Sequence, residues 1–457
     1  MAKNIGYTIE PKDVAKVETK YRKICTQIPV PESIPLLKRL RDVDARSLHW
    51  QAPVFWDRTE GINVYDKYGN KWLDMSSGIA VASFGHSRKE VLDAITKQAS
   101  KMMYNFTFPS ELRMELIEKL VELSPPNLQK AFLMSAGSEA TENALKLMRR
   151  YGQSIGGSEK NVVISFNYAF HGRTLGAQMM GGLPGLKNWI MNPDPEIIQV
   201  PHPNGYYDED TSFDLFEKTI EDKGINPKNV AGVILESVQG ATIFTVPKEY
   251  AQNLKKWCED NNALMAYDEV QMGFGRTGKL FGYQHYDVEA DVVPLGKAIS
   301  GSLPLSATLA SEKVMDVFSP GEMTSTHTGN AVSCAAGIAY LDVMVREGLI
   351  NKAAEMGKVL SKEIARLVDK HAICGWGNAV GMIAGIHIVN PGTKEPRKDI
   401  AYKINQKLYE KGLMVFCPVG PATVKFAPPL TMPEDALMEA MSVVDESIQE
   451  VITEEGL

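Results

Sequence analysis

Between about residue 80 and residue 335, short apolar runs alternate with amphipathic stretches, and this alternation constrains the fold more than any other feature of the chain. The runs are Ala131 to Met134, Val162 to Phe166, Val230 to Leu235, Ala263 to Tyr267 and Val292 to Leu295. Between two of them, Pro247 to Asn261 sets Tyr250, Leu254, Trp257 and Cys258 on one helical face. Apolar strands joined through helices form a mostly parallel sheet covered on both faces. The fold class expected is therefore α/β.

The pattern changes after about residue 340. Helical stretches over about 334–370 and 398–411 flank a strand-like run, Met382 to Val389. Val415 to Phe426 reads as a strand pair and Pro433 to Glu450 as a last helix. The first 50 or so residues are charged, with helical patches such as Pro11 to Ile24. Gly61 to Asp74 reads as two strands around a Tyr-Gly-Asn turn. The expected organisation is an N-terminal segment, 1–78, a large domain, 79–340, and a C-terminal α+β segment, 341–457. The two flanking segments would build a smaller domain together.

Composition removes several function classes. The net charge of −7 offers no basic surface for nucleic acid or an anionic membrane. No run approaches the roughly 18 apolar residues of a membrane span. The first residues carry no apolar signal core. Five scattered cysteines with no CxxC pair point to a reducing, cytoplasmic setting. The eight histidines lack ligand spacing, so no metal site is expected.

Ligands of open α/β sheets bind beyond the carboxyl ends of the strands, and four groups fall at such ends. Lys297 follows Asp291 to Gly296, where burial disfavours a charged amine and makes it a usable nucleophile for an aldehyde cofactor. After Met134, the chain turns through Ser135-Ala136-Gly137-Ser138 into a helix, with Ser138 a candidate N-cap. Its free N–H groups suit a phosphate. Glu236 and Asp268 each end an apolar strand, and each alone reads better as a helix cap. Phe170, His171 and Arg173 follow a further strand; the aromatic ring suits stacking on a flat cofactor, and the guanidinium suits a carboxylate. An amine, a carboxylate to hold a ring nitrogen protonated and a phosphate cradle are the parts a pyridoxal phosphate site needs. Gly273 to Gly278 also matches GxGxxG, but an aromatic-rich stretch follows it and leaves little room for a crossover helix.

The sequence resembles the class III aminotransferases, a group of fold-type I pyridoxal phosphate enzymes that includes 4-aminobutyrate and ornithine transaminases. The likeness runs from about residue 50 to the end. It rests on Gly78-Ile79-Ala80-Val81 with Gly85-His86, Ser135 to Ala140, Phe170 to Thr174, Asp268 to Gln271 with Gly273 to Gly278, Leu295-Gly296-Lys297, Thr326 to Asn330 and Pro428 to Thr431. The resemblance implies that Lys297 holds the cofactor covalently and moves the substrate proton, and that Asp268 pairs with the pyridine nitrogen. Gln271 would bond the ring hydroxyl side, with Val270 on one ring face and Phe170 on the other. Gly137 and Ser138 would bind the phosphate, and His171 and Glu236 belong to the same cofactor site. Thr326 would reach the phosphate of a neighbouring subunit, which implies a homodimer or a dimer of dimers. An amine donor and a keto-acid acceptor would alternate in one site.

Ile79, Arg173, Glu236 and Lys425 are the implied substrate residues. Arg173 suits a donor with a terminal anion, such as 4-aminobutyrate, β-alanine or taurine. The chain departs from the family at Lys425, where glutamate-using members carry an arginine; lysine is a point charge without a bidentate fork. That leaves the acceptor open between 2-oxoglutarate and pyruvate. A second departure is Trp376, within Cys374-Gly375-Trp376-Gly377, where an arginine is usual. The reading that follows is an ω-amino acid transaminase, with an amino-acid racemase or decarboxylase of the same architecture as the alternative.

Overall fold

The computed structural model describes residues 7–457. It divides into two compact units, one running to Arg88 and resuming at Lys352–Leu457, the other Lys89–Asn351. The divisions thus fall after Arg88 and Asn351.

The unit Lys89–Asn351 is built on seven strands: β1 (Lys130–Met134), β2 (Val162–Phe166), β3 (Ile197–Val200), β4 (Val230–Glu236), β5 (Leu264–Asp268), β6 (Val292–Leu295) and β7 (Ser306–Ala310). Their order is β1-β7-β6-β5-β4-β2-β3. The pairings are parallel except for those of β7, which runs antiparallel to β6 and β1. Every residue of β4, β5 and β6 is buried, as strands covered on both faces must be. Helix α1 (Gly137–Gly156) lays Ala144, Leu147 and Met148 on a cluster with Val163, Ile234, Ala266 and Val292. Each large apolar side chain buried there contributes about 1.5–3 kcal/mol. Gly232 allows that approach, since a Cβ on it would stand 2.7 Å from Met148 Cγ. The helix Lys248–Asp260 buries Tyr250, Leu254, Trp257 and Cys258, the face its periodicity predicts.

Strands β3 and β7 escaped the sequence reading. β7 is Ser-Ala-Thr-Leu-Ala, whose hydroxyls break the apolar signal. They are satisfied internally: Ser306 Oγ donates to Ala136 O at 2.8 Å and Thr308 Oγ1 to Ala140 O at 3.1 Å.

In the other unit, Asn63–Tyr65 and Lys71–Asp74 pair antiparallel around the expected turn. Leu413–Met414 adds in parallel to Lys71–Asp74. A second sheet joins Cys374–Val380, Ile383–Ile388 and Thr423–Phe426, all antiparallel. Ile24, Val64, Trp72, Tyr409 and Met414 share a core in which Trp72 Nε1 donates to Tyr409 O at 2.8 Å. Trp376 packs edge-on against His387, with ring centroids 4.9 Å apart.

Three expectations are corrected. Pro11 to Ile24 is not helical; Val17–Glu18 pairs with Lys23–Ile24, and Thr19 Oγ1 accepts from the N–H groups of Tyr21 and Arg22 to close the turn. The stretch 334–370 breaks at Gly348, whose φ of +61° ends one helix (Ala331–Arg346) before the next (Leu349–Lys370). Of Val415 to Phe426, only Thr423–Phe426 is a strand, with Leu413–Met414 preceding it. No helix among the described residues is long and apolar enough to cross a membrane.

Candidate active site

The carboxyl ends of β4, β5 and β6 lie side by side, and each delivers a titratable group. Glu236 and Asp268 are the last residues of β4 and β5 and are register partners. Lys297 follows β6 after Gly296, with φ at +46°, a left-handed conformation unusual for a side-chain-bearing residue. Its amine is enclosed by protein even though the residue keeps some exposure. Desolvation pushes its pKa below the usual lysine value, against the opposing pull of Asp268 and Glu236. Glu236 is 6% exposed, and desolvation lifts its pKa to about 7; His171 opposes the rise and Asp268 adds to it.

Hydrogen bonds fix both carboxylates. Glu236 Oε1 accepts from Phe170 N at 2.9 Å and Oε2 from Gly240 N at 2.7 Å. Asp268 Oδ1 accepts from Val270 N at 3.0 Å, and Oδ2 lies 2.8 Å from His171 Nδ1. The segment after β2 is thereby pinned at consecutive residues, Phe170 by Glu236 and His171 by Asp268.

The loop after β1 completes the cluster. Helix α1 begins at Gly137 with Ala136 as its N-cap, so Ser138 is not the cap expected from the sequence. Glu139 takes that task, its carboxylate accepting from Ser135 N and Ala136 N at 2.9 and 2.8 Å. Ser138 instead turns to the neighbouring loop, its Oγ accepting from Arg173 N at 3.0 Å. The N–H groups of Gly137 and Ser138 lie in the first helical turn, where no intrahelical acceptor exists. Gly137 is backed by Val270: a Cβ there would stand 2.6 Å from Val270 Cγ1. Arg173 is exposed, its guanidinium 5.6 Å from the centroid of the Phe170 ring, with no carboxylate partner among the described residues.

Thus Gly137, Ser138, Phe170, His171, Arg173, Glu236, Asp268, Val270 and Lys297 are linked by direct contact or by electrostatic influence. Gln271 belongs with them through Gly240, since a Cβ on that glycine would meet Gln271 Oε1 at 2.5 Å and Glu236 Oε2 at 3.1 Å. Thr326 is exposed, and its carbonyl accepts from Tyr104 OH at 3.0 Å. Ile79 and Lys425 belong to the other unit. Ile79 is half-buried with φ at +60°; Lys425 is buried opposite Gly385, its ammonium 5.3 Å from the Phe416 ring centroid. Gly240 and Gly172 were missed by the sequence reading. Neither stands out without a neighbour: Gly172, at φ +135°, earns its place only because a Cβ would strike Ser138.

The GxGxxG run opens no α-helix. Gly273 to Gly278 is a series of turns followed by a short 3₁₀ segment, Gly282–Tyr286, so the fingerprint lacks the crossover helix a dinucleotide needs.

The sequence profile described as Aminotransferase class-III matches residues 45–448. The chain belongs to that family. This class III aminotransferase is 30% identical over 442 residues to the 4-aminobutyrate aminotransferase of Mycobacterium leprae, covering 93% of this chain and 97% of the relative. It is 34% identical over 400 residues to the acetylornithine aminotransferase of Clostridium acetobutylicum, covering 87% and 96%. Among solved structures, it superposes with a TM-score of 0.84 and 26% identity on taurine:2-oxoglutarate aminotransferase from Bifidobacterium kashiwanohense in complex with PLP and glutamate, covering 91% of this chain and 97% of that one.

The class III aminotransferase is accordingly a pyridoxal phosphate enzyme, with an amine donor and a keto acid as small-molecule substrates. The residues present fit that cofactor. His171 Nε2 and Gln271 Nε2 are buried without a protein partner, the His171 ring bonded to Asp268 through Nδ1 and the Gln271 side chain sharing the surroundings of Gly240 with Glu236, and a ring with polar substituents would satisfy them.

Proposed function

We propose that this chain transfers an amino group from an ω-amino acid of the 4-aminobutyrate, β-alanine or taurine type to 2-oxoglutarate or pyruvate. The observation that carries the donor class is Arg173. Its backbone is tied to Ser138 in the phosphate cradle, while its guanidinium stays exposed and lacks a carboxylate partner among the described residues. A donor whose amine reaches Lys297 while a distant anion meets Arg173 has the amine and the anion at opposite ends.

Bound pyridoxal phosphate supplies an aldehyde for amine capture and a ring that accepts electrons from the substrate carbon. Lys297, whose charged form desolvation disfavours, would hold that aldehyde and, once displaced by the donor amine, would take the proton from the substrate carbon. Asp268, fixed by Val270 N and His171, would hold a proton on the ring nitrogen. Gln271 Nε2, buried without a partner, would donate to the ring hydroxyl oxygen, and Val270 and Phe170 would enclose the ring. Gly137 and Ser138 would give their N–H groups to the phosphate at the positive end of α1. Lys425, a buried lysine in place of the family's arginine, binds the acceptor carboxylate. Thr326 completes the phosphate site of a second copy, making the homodimer the active unit. Free thiols at all five cysteines favour a cytoplasmic setting.

The deciding experiment offers 4-aminobutyrate, β-alanine, taurine and several α-amino acids with 2-oxoglutarate or pyruvate. Formation of glutamate or alanine from the ω-amino donors is expected. Inversion of an α-amino acid without any keto acid would mean that the substrate carbon is reprotonated on its opposite face, and would replace this reading with a racemase.

A further inference from the structure

Four consecutive residues of the Gly78-Ile79 motif lie in the left-handed region: Ser77 at φ +48°, Gly78 at +55°, Ile79 at +60° and Ala80 at +63°. Ala80 N donates to Ser76 O and Val81 N to Ser77 O, each at 2.9 Å, so this is a left-handed helical turn with its own backbone bonds. Only Gly78 adopts it freely; the others bring Cβ too close to the following carbonyl, and for a β-branched residue such as Ile79 the conformation is a true outlier. A right-handed turn would also satisfy backbone bonds of this type without the strain. What handedness changes is the direction in which the side chain at 79 leaves the chain.

A buried network holds the turn. Asp74 Oδ1 accepts from Ser76 N and Ser76 Oγ, both at 2.7 Å, and Ser76 Oγ accepts from Gly78 N at 3.1 Å. Asp74 Oδ2 lies 2.7 Å from His86 Nε2. On the far side, Ser77 Oγ donates to Ala427 O, and Ala427 N to Met75 O, both at 2.7 Å. Asp74 and Ser77 have no solvent exposure, so water does not compete for these bonds. Strain over-determined by its surroundings marks a functional element.

We propose that the left-handed turn Ser77–Ala80 is a strained positioning element that fixes Ile79 in one orientation for donor selection, with Asp74 and Ser76 as the positioning residues that hold it. This rests on the transaminase reading above and on the substrate role that the family resemblance implies for Ile79. The test compares Ile79→Gly, Ile79→Ala, Ser76→Ala and Ser76→Thr holoenzymes by thermal midpoint and by kcat/KM for two accepted donors that differ in bulk beside the amine-bearing carbon. Ile79→Gly should melt about 2–4 °C above Ile79→Ala, the reverse of their order in a right-handed helix. Both should shift the donor preference about tenfold or more. Ser76→Ala, which keeps Ile79, should shift the preference in the same direction, more through KM than kcat, and Ser76→Thr should restore it. A Gly variant less stable than the Ala variant would refute the strained turn. A preference unchanged in both Ile79→Ala and Ser76→Ala would refute the positioning role. If the enzyme prefers α-amino donors, the donor class proposed above fails, yet any two accepted donors still serve this comparison.

Discussion

His171 and Asp268 share a buried hydrogen bond, with imidazole Nδ1 2.8 Å from carboxylate Oδ2, while Nε2 of the same ring has no protein partner. The pair joins the loop after β2 to the end of β5. Its geometry orients the carboxylate assigned to the pyridine nitrogen.

Replacing His171 with Ala should therefore act through Asp268. A buried carboxylate oxygen left without its partner costs about 1–3 kcal/mol. We expect pyridoxal phosphate to bind about 10- to 100-fold more weakly, measured by equilibrium dialysis, with a changed absorbance of the bound cofactor. Cofactor affinity within twofold of wild type would show that Asp268 needs no such support.

Gly137→Ala tests the phosphate cradle. The new Cβ would stand 2.6 Å from Val270 Cγ1, and Val270 is itself tied through its N–H to Asp268. Helix propensity alone favours alanine at this position by up to about 1 kcal/mol. The steric demand should outweigh it, lowering the thermal midpoint and weakening cofactor retention together. A variant more stable than wild type with unchanged cofactor affinity would show that Val270 yields freely.

Much of this site was legible because it depends on strand ends. An apolar run that stops at Glu236, Asp268 or Gly296-Lys297 announces both a strand and the residue at its mouth. Contacts between loops distant in sequence were not legible. Nothing local says that Ser138 receives Arg173 N rather than capping α1. The same limit hid β7, whose hydroxyls look like a loop until their carbonyl partners on α1 and its cap are known. It also hid the handedness of Ser77–Ala80, where only one of four residues is a glycine.

Two buried acids should shape stability against pH. Burial lifts Glu236 and Glu269 to about 7 each. The folded chain therefore binds more protons than the unfolded one between the ordinary glutamate value and about 7, so stability falls as pH rises through that window. Each group contributes at most ~3 kcal/mol to the fall. Glu269 accepts from Gly282 N and Tyr283 N through different oxygens. Glu269→Gln should lower stability at pH 5, where it sets an amide NH₂ against one of those donors, yet flatten the decline from pH 5 to pH 7. Thermal melts of both proteins across that range check this. An identical slope in the two proteins would remove Glu269 from the account.

Arg173 should separate donors by where they carry their anion. Its guanidinium stands 5.6 Å from the Phe170 ring centroid, and its backbone N–H, not its side chain, binds Ser138. Arg173→Ala therefore spares the loop's anchor while removing the cation. For a donor with a terminal carboxylate or sulfonate, a lost charge-assisted contact of about 1.5–3 kcal/mol predicts a kcat/KM lower by about 10- to 100-fold. For an amine without a distant anion, kcat/KM should change little. Arg173→Lys should recover part of the loss, since a point charge attracts the anion without the planar fork. Steady-state kinetics with 4-aminobutyrate and a simple alkylamine make the comparison. An equal loss for both would place Arg173 in the support of the cofactor site instead.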